Sequence, residues 1–197
     1  MKTTRISVAI LISLGLCIAS VRADEVLDTL AKAKEQYEKN EFSGAAGSLD
    51  YAAQLVRQKK SDALKLFLPK ALEGWTAEEA TSQAMGASFF GGGVTVSQHF
   101  NKESSSVTVE IVTDSPLLQS VMMMLTNPVM ISASGAKLET ISGQQAVVNF
   151  RPTEKSGDIS FVVANRFLVK VSGNDVLKKD LSDYVSKIDF AKLAAAT

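Results

Sequence analysis

Thiols are almost absent from this chain: Cys17 is its only cysteine. It lies in a segment that reads as a removable leader, so the remaining chain is expected to have no disulfide, no thiolate metal site and no cysteine nucleophile. His99 is the only histidine, which excludes the usual zinc sets of several imidazoles and thiolates. Charge of one sign is lacking too, with 21 Lys and Arg against 21 Asp and Glu. Long apolar runs are also missing. The longest, Ile6–Ile18, has roughly 13 residues, where a membrane-spanning helix needs about 20.

That run has the flanks of a secretory signal. Lys2 and Arg5 precede it, and Val21-Arg22-Ala23 places small residues for cleavage between Ala23 and Asp24. Leu16 stands before Cys17 where a lipoprotein signal needs a small residue. The expectation is a periplasmic or secreted protein with 1–23 as signal peptide and no integral membrane segment after cleavage. Lys2, Arg5 and Arg22 would leave with the signal, giving a net charge of about −3 that argues against nucleic acid as partner.

Residues 24–68 read as a helical hairpin. Val26, Leu30, Ala33 and Tyr37 form one apolar stripe. After the break at "KNEFS", a second stripe runs through Phe42, Ala45, Ala46, Leu49, Ala52, Ala53 and Val56. The alanines allow close helix approach, and so short a link predicts an αα-hairpin. "RQKKSDALKLF" continues the second helix or starts a third. "YEKNEFSGAAGSLDYAA" resembles a single tetratricopeptide unit, with no second copy at the period of about 34 that such arrays require.

Pro69, Gly74 and Trp75 mark a junction before an α+β domain over 69–197. The period then changes to 2. "VTVSQHF", "VTVEIV", "LETIS", "QAVVNF", "ISFVVAN" and "FLVKVS" predict a mostly antiparallel sheet of about six to seven strands. Asn165-Arg166 is read as a tight turn. A helix from about Pro116 and a closing helix over 175–188 are expected to pack on one face. Trp75 is expected to be buried where the hairpin meets the sheet.

"LLQSVMMMLTNPVM" holds four of the six methionines: Met122, Met123, Met124 and Met130. Successive helical positions advance about 100°, so one helix cannot aim three thioethers at one metal ion. Packing between helix and sheet is the expected role, with some apolar surface left over. Phe89 and Phe90 sit beside three glycines and join that candidate ligand or partner surface. Gly86 and Gly91 have phosphate-loop spacing, but Gly92 and Gly93 stand where Lys and Ser/Thr must follow. Ser134-Gly135-Ala136-Lys137 fits Ser-x-x-Lys without its supporting motifs. No catalytic residue, cofactor or metal is assigned.

"LPKALEGW", "VTVEIVTDSP", "ISFVVANRFLVKVSG" and "IDFAKL" resemble an uncharacterised family of exported bacterial proteins. In it a helical hairpin precedes a Leu-Pro…Gly-Trp junction and an α+β domain. The strand–helix order is loosely similar to the PsbP/Mog1-like fold, whose members are mostly assembly or binding proteins. The resemblance implies no activity and no site residues. The function expected is therefore non-catalytic: a binding or assembly protein acting on an unknown envelope protein. The rival is a carrier of a small apolar or amphiphilic ligand. A hydrolase using a carboxylate pair from Glu110, Asp114 or Asp158 is third.

Overall fold

The computed structural model describes residues 24–85, 93–114, 117–127, 129, 131 and 135–196. Two helices come first, α1 (Glu25–Glu38) and α2 (Phe42–Leu64). The Asp24 carboxylate accepts the Val26 amide at 3.0 Å and starts α1. Asn40, at φ 62°, turns the chain between them, a left-handed conformation that asparagine tolerates. Ala33 of α1 and Ala45 and Ala52 of α2 are buried, so the helices meet over small side chains. Ser48 Oγ donates to Gln36 Oε1 at 2.7 Å and Lys59 Nζ to Asp24 Oδ2 at 2.8 Å. Both bonds fix the antiparallel register.

α2 is a single helix of 23 residues, so "RQKKSDAL" continues it rather than starting another. A short 3₁₀ turn over Lys65–Phe67 follows, and Leu68 is already extended ahead of Pro69. Gly74, at φ +78°, closes a turn in which the Trp75 amide donates to the Leu72 carbonyl at 3.0 Å.

The sheet has eight antiparallel strands: β1 (Thr76–Ala77), β2 (Thr81–Met85), β3 (Gly93–Lys102), β4 (Ser105–Thr113), β5 (Lys137–Ile141), β6 (Gln144–Arg151), β7 (Ser156–Val163) and β8 (Phe167–Asn174). Their order is β1-β3-β4-β8-β7-β6-β5, with β2 also on β3. The count exceeds six to seven because β1 has two residues and β2, "TSQAM", carries no alternating pattern. From β4 the chain passes through α3 (Leu117–Thr126) to the far edge, then returns strand by strand until β8 lies beside β4. The α+β architecture is thus a helix pair followed by an antiparallel sheet with helices packed on it.

Register puts the core together. Val96 faces Ile111, Ile111 faces Val169, Val169 faces Phe161, and Phe161 faces Ala146. This row crosses five strands on one face, and every member is buried. Leu64 covers it from α2, and the closing helices α4 (Lys178–Val185) and α5 (Phe190–Ala194) cover it with Leu181, Tyr184, Val185 and Leu193. Ile131 and Ala136, which follow α3, pack with Val147 on the opposite face.

Two expectations need correction. The β7–β8 turn is centred on Ala164-Asn165, at φ 50° and 52°, not on Asn165-Arg166. The Arg166 amide closes it on the Val163 carbonyl at 3.0 Å. Trp75 is half-buried rather than buried, and its ring meets Tyr184 of α4 edge-on.

Candidate functional site

The second hairpin stripe divides in the structure. Ala45 and Ala52 turn inward, whereas Phe42, Ala46, Leu49, Ala53 and Val56 are exposed. Phe42 is 57%, Leu49 52% and Val56 51% exposed, values usual for lysine rather than for large apolar side chains. Their 4-3-4-3 spacing is that of a helix-packing seam, here with nothing on it among the described residues. Tyr37 of α1 extends the face, edge-on to Phe42 with ring centroids 5.6 Å apart. Over Phe42–Val56 the seam runs about 21 Å at 1.5 Å per residue.

At its sheet end the seam opens into a cleft of about 420 Å³ lined by Val56, Lys60, Ala63, Phe67, Phe167 and Ala196. Cations border it. Lys192 lies over the Phe67 ring at 5.9 Å, and Arg166 stacks on Phe167 at 5.2 Å while donating to the Ala196 carbonyl. Lys59 and Lys60 complete the rim, each in an ion pair, with Asp24 and Asp114 respectively. The Lys59 ammonium holds the Asp24 carboxyl below its ordinary range, aided by the Val26 amide.

A second cleft of about 380 Å³ lies at the junction after Gly74, between Trp75, Glu73, Lys102, Asp180 and Asp183. Two of its three acids are engaged within α4. Asp180 accepts the Leu177 amide and caps α4, and Asp183 accepts from Lys179.

The residues expected to form an apolar surface are only partly in view. Phe89, Phe90 and Met130 lie outside the described residues, as does Ser134. Met122 is half-buried on α3 and Met123 is 62% exposed; Met124 is placed in α3 by its backbone only. Leu118 supplies a buried contact of the helix. Surface therefore remains at Met123, as a helix packed on one side requires.

The polar candidates do not assemble into a reacting centre. His99, Thr108, Ser172, Asp158 and Asn149 occupy one row across five strands. Thr108 separates the imidazole from Ser172, and His99 Nδ1 bonds to Thr108 Oγ1 at 2.8 Å. A nucleophilic triad needs the base between serine and acid. Glu110 stands between Ser97 and Lys170, two strands from Asp158, and Asp114 pairs with Lys60. No two of these three carboxylates face each other as a catalytic pair must. Among the described residues no group of three His, Cys, Asp or Glu side chains could hold a metal ion. No described helix is long and apolar enough to cross a membrane.

Sequence reasoning missed the seam because it treated seven apolar positions as one face. Seven such positions in 15 residues are more than a two-helix contact over alanine can cover, and that excess was the available signal. Comparison with protein-family models, with curated proteins and with solved structures finds no match for this chain.

Proposed function

We propose that this is an exported, non-catalytic binding or assembly protein that works by docking protein helices on its N-terminal hairpin. The exposed seam Phe42–Ala46–Leu49–Ala53–Val56 carries the reading. Contiguous apolar surface beyond a few hundred Å² is rare on monomers and marks interaction sites. A straight stripe with heptad spacing fits an amphipathic helix, which buries i, i+3, i+4 and i+7 side chains in such a track. The sheet end is held still, because Leu64 belongs to the sheet core and Gln58 reaches Ser82. The docking face is thus a rigid extension of the domain.

A photo-crosslinking amino acid at position 49, expressed in cells, tests this. A discrete protein adduct at 49, weaker at the exposed polar position 34, is expected. Equal or no adduct at 49 overturns the reading.

The second reading, a carrier of a small amphiphile, is favoured by the cation-rimmed apolar cleft at Phe67 and Phe167. Native mass spectrometry with added fatty acids would show a mass shift that Ala63→Trp, which fills the cleft, abolishes. An unshifted mass with every lipid class removes the carrier.

A further inference from the structure

Charge at the cleft between Phe67 and Phe167 is of one sign. Its walls come from α2, the 3₁₀ turn after it, the start of β8 and the residue Ala196, and no acid lines it. The acids at this end of the hairpin are engaged elsewhere. Asp24 and Asp114 pair with Lys59 and Lys60, Asp62 pairs with Lys65 at 3.0 Å, and Glu25 accepts the Tyr51 hydroxyl at 2.7 Å. Asp28, on α1, does not line the cleft. Lys59 and Lys60 are therefore compensated where they stand. Arg166 and Lys192 are not, because neither forms an ion pair among the described residues. The Trp75 cleft differs, since Glu73, Asp180 and Asp183 stand there among Lys102 and Lys187 and neither sign prevails.

The two uncompensated cations are placed by the local fold. Arg166 closes the β7–β8 turn through its amide, which sets its guanidinium 5.2 Å from the centroid of the adjoining Phe167 ring. Lys192 lies in the first turn of α5, where the Asp189 cap accepts its amide at 2.9 Å, and its ammonium stands 5.9 Å from the Phe67 centroid. Each charged head is thus held over an aromatic wall of the cleft by cation–π attraction, its stem lying along apolar surface. An apolar cavity with two unspent positive charges at its edge is complementary to a molecule with one anionic end and one apolar end.

Size narrows the class. At about 420 Å³ the cleft lies toward the lower end of the roughly 300–1,000 Å³ of small-molecule sites, which suits one alkyl chain of medium length.

We infer that this cleft takes a monomeric single-chain carboxylate, its head at Arg166 and Lys192 and its chain against Val56, Ala63, Phe67 and Phe167. This rests on the carrier reading of the same cleft and adds the sign of the head, the number of chains and the two residues that read the head. Arg166 spends one donor, Nη1, on the Ala196 carbonyl and keeps the rest of its fork for a carboxylate, while Lys192 adds a point charge.

The test compares three probes with the same chain and different heads: decanoate, decanol and decylamine. Each is titrated into the purified protein at neutral pH, below its micelle concentration, and followed by calorimetry and native mass spectrometry. Decanoate should bind about tenfold more tightly than decanol, and decylamine should bind most weakly. Along hexanoate, octanoate and decanoate, each added methylene should tighten binding about threefold. Arg166 and Lys192 are exposed, so Arg166→Glu combined with Lys192→Glu should leave the circular dichroism unchanged. It should reverse the order and place decylamine above decanoate. Salt at roughly 0.5 M should narrow the advantage of decanoate (Debye length about 4 Å). Equal binding of the three heads, or an order that the charge reversal leaves in place, overturns this inference and leaves the carrier reading standing. Failure of every probe to bind removes the carrier reading and this inference together, as does decanoate binding that Ala63→Trp leaves intact. Sedimentation with vesicles of phosphatidylglycerol and phosphatidylcholine separates a free ligand from a lipid surface. Vesicle binding without uptake of decanoate overturns the inference.

Discussion

The Trp75 indole meets the Tyr184 ring edge-on, with centroids 5.6 Å apart and planes at 87°. Tyr184 in turn lies 4.5 Å from Phe100 of β3. Three aromatic rings therefore connect the chain leaving the hairpin, the closing helix and the sheet. Trp75 immediately precedes β1, whose Thr76 and Ala77 pair with Asn101 and Phe100, so backbone and ring hold this segment together. The joint is fixed.

Trp75→Ala should destabilise the protein by about 2–3 kcal/mol, below the roughly 3–5 of fully buried aromatics because the indole is half-exposed to the Glu73–Lys102 cleft. As the only tryptophan, it reports directly. Emission should be intermediate in wavelength and partly quenched by iodide, and a fully water-exposed maximum would contradict the ring contact.

Tyr184 is completely buried, yet its hydroxyl has no hydrogen-bond partner among the described residues. The Leu72 amide points toward it without reaching bonding geometry. Burial pushes its pKa up to about 12, from 10.0. Between these values an unfolded chain releases the proton and the folded one keeps it, so unfolding releases a proton. The stability this group contributes is complete below about pH 10 and is lost as pH rises through about 12. Tyr184→Phe keeps the rings in contact and removes an unsatisfied hydroxyl. It should be stabilising at neutral pH by about 1 kcal/mol and should fall less steeply from pH 10 to 12 in denaturant titrations. A loss of stability at neutral pH would show that the hydroxyl is bonded.

These rings illustrate what was readable in advance. Val107, Val109 and Ile111 alternate cleanly because β4 has core on one face only, and the period-2 pattern placed that strand correctly. Ala77 and "TSQAM" show no such alternation: β1 and β2 sit at the edge on β3, and Thr76, Ala77, Thr81 and Gln83 are exposed. Tyr184 as partner of Trp75 was not legible, since the two are 109 positions apart and no local rule relates them. The hairpin was readable as helices from its period. Which of Ala45, Ala46, Leu49 and Ala52 faced α1 was not, because three of the four are the same residue.

Lys178 on α4 bonds both carboxylate oxygens of Glu139, at 2.7 and 2.6 Å, and so tethers the closing helix to the edge strand β5. The side chains are 41% and 31% exposed, which limits the pair to at most about 1 kcal/mol. Lys178→Met should lower stability by that amount at low salt, and the difference should shrink in roughly 0.5 M salt as screening removes the attraction (Debye length about 4 Å). β5 has no neighbour beyond it among the described strands. Its amide exchange should accelerate in Lys178→Met more than that of β8, whose protection is set by its place between β4 and β7. Uniform acceleration across the sheet would mean that the pair stabilises the whole fold and not the edge.

Gly157 leaves no room for a side chain. It lies in β7 between Phe150 of β6 and Gly173 of β8, so two glycines face each other across neighbouring strands. A Cβ at 157 would stand 2.2 Å from the Asn149 carbonyl oxygen and 2.6 Å from the Phe150 Cα. Those are backbone atoms held by the β6–β7 ladder, so no rotamer change relieves the overlap. The strand must separate or slip, and a one-residue slip would send Ile159 and Phe161 from the core face to solvent. Gly157→Ala should therefore cost about 3 kcal/mol or more, at the top of the range for overpacked sites. Gly143, in the β5–β6 turn, would place a Cβ in open space, with nothing within 4 Å, though its φ is +76°. Gly143→Ala should cost only the left-handed backbone term, about 1–2 kcal/mol. Chemical denaturation of the two variants side by side separates the effects: equal losses would show that packing at Gly157 is not the constraint, and a larger loss at 157 places it in the contact with Asn149 and Phe150.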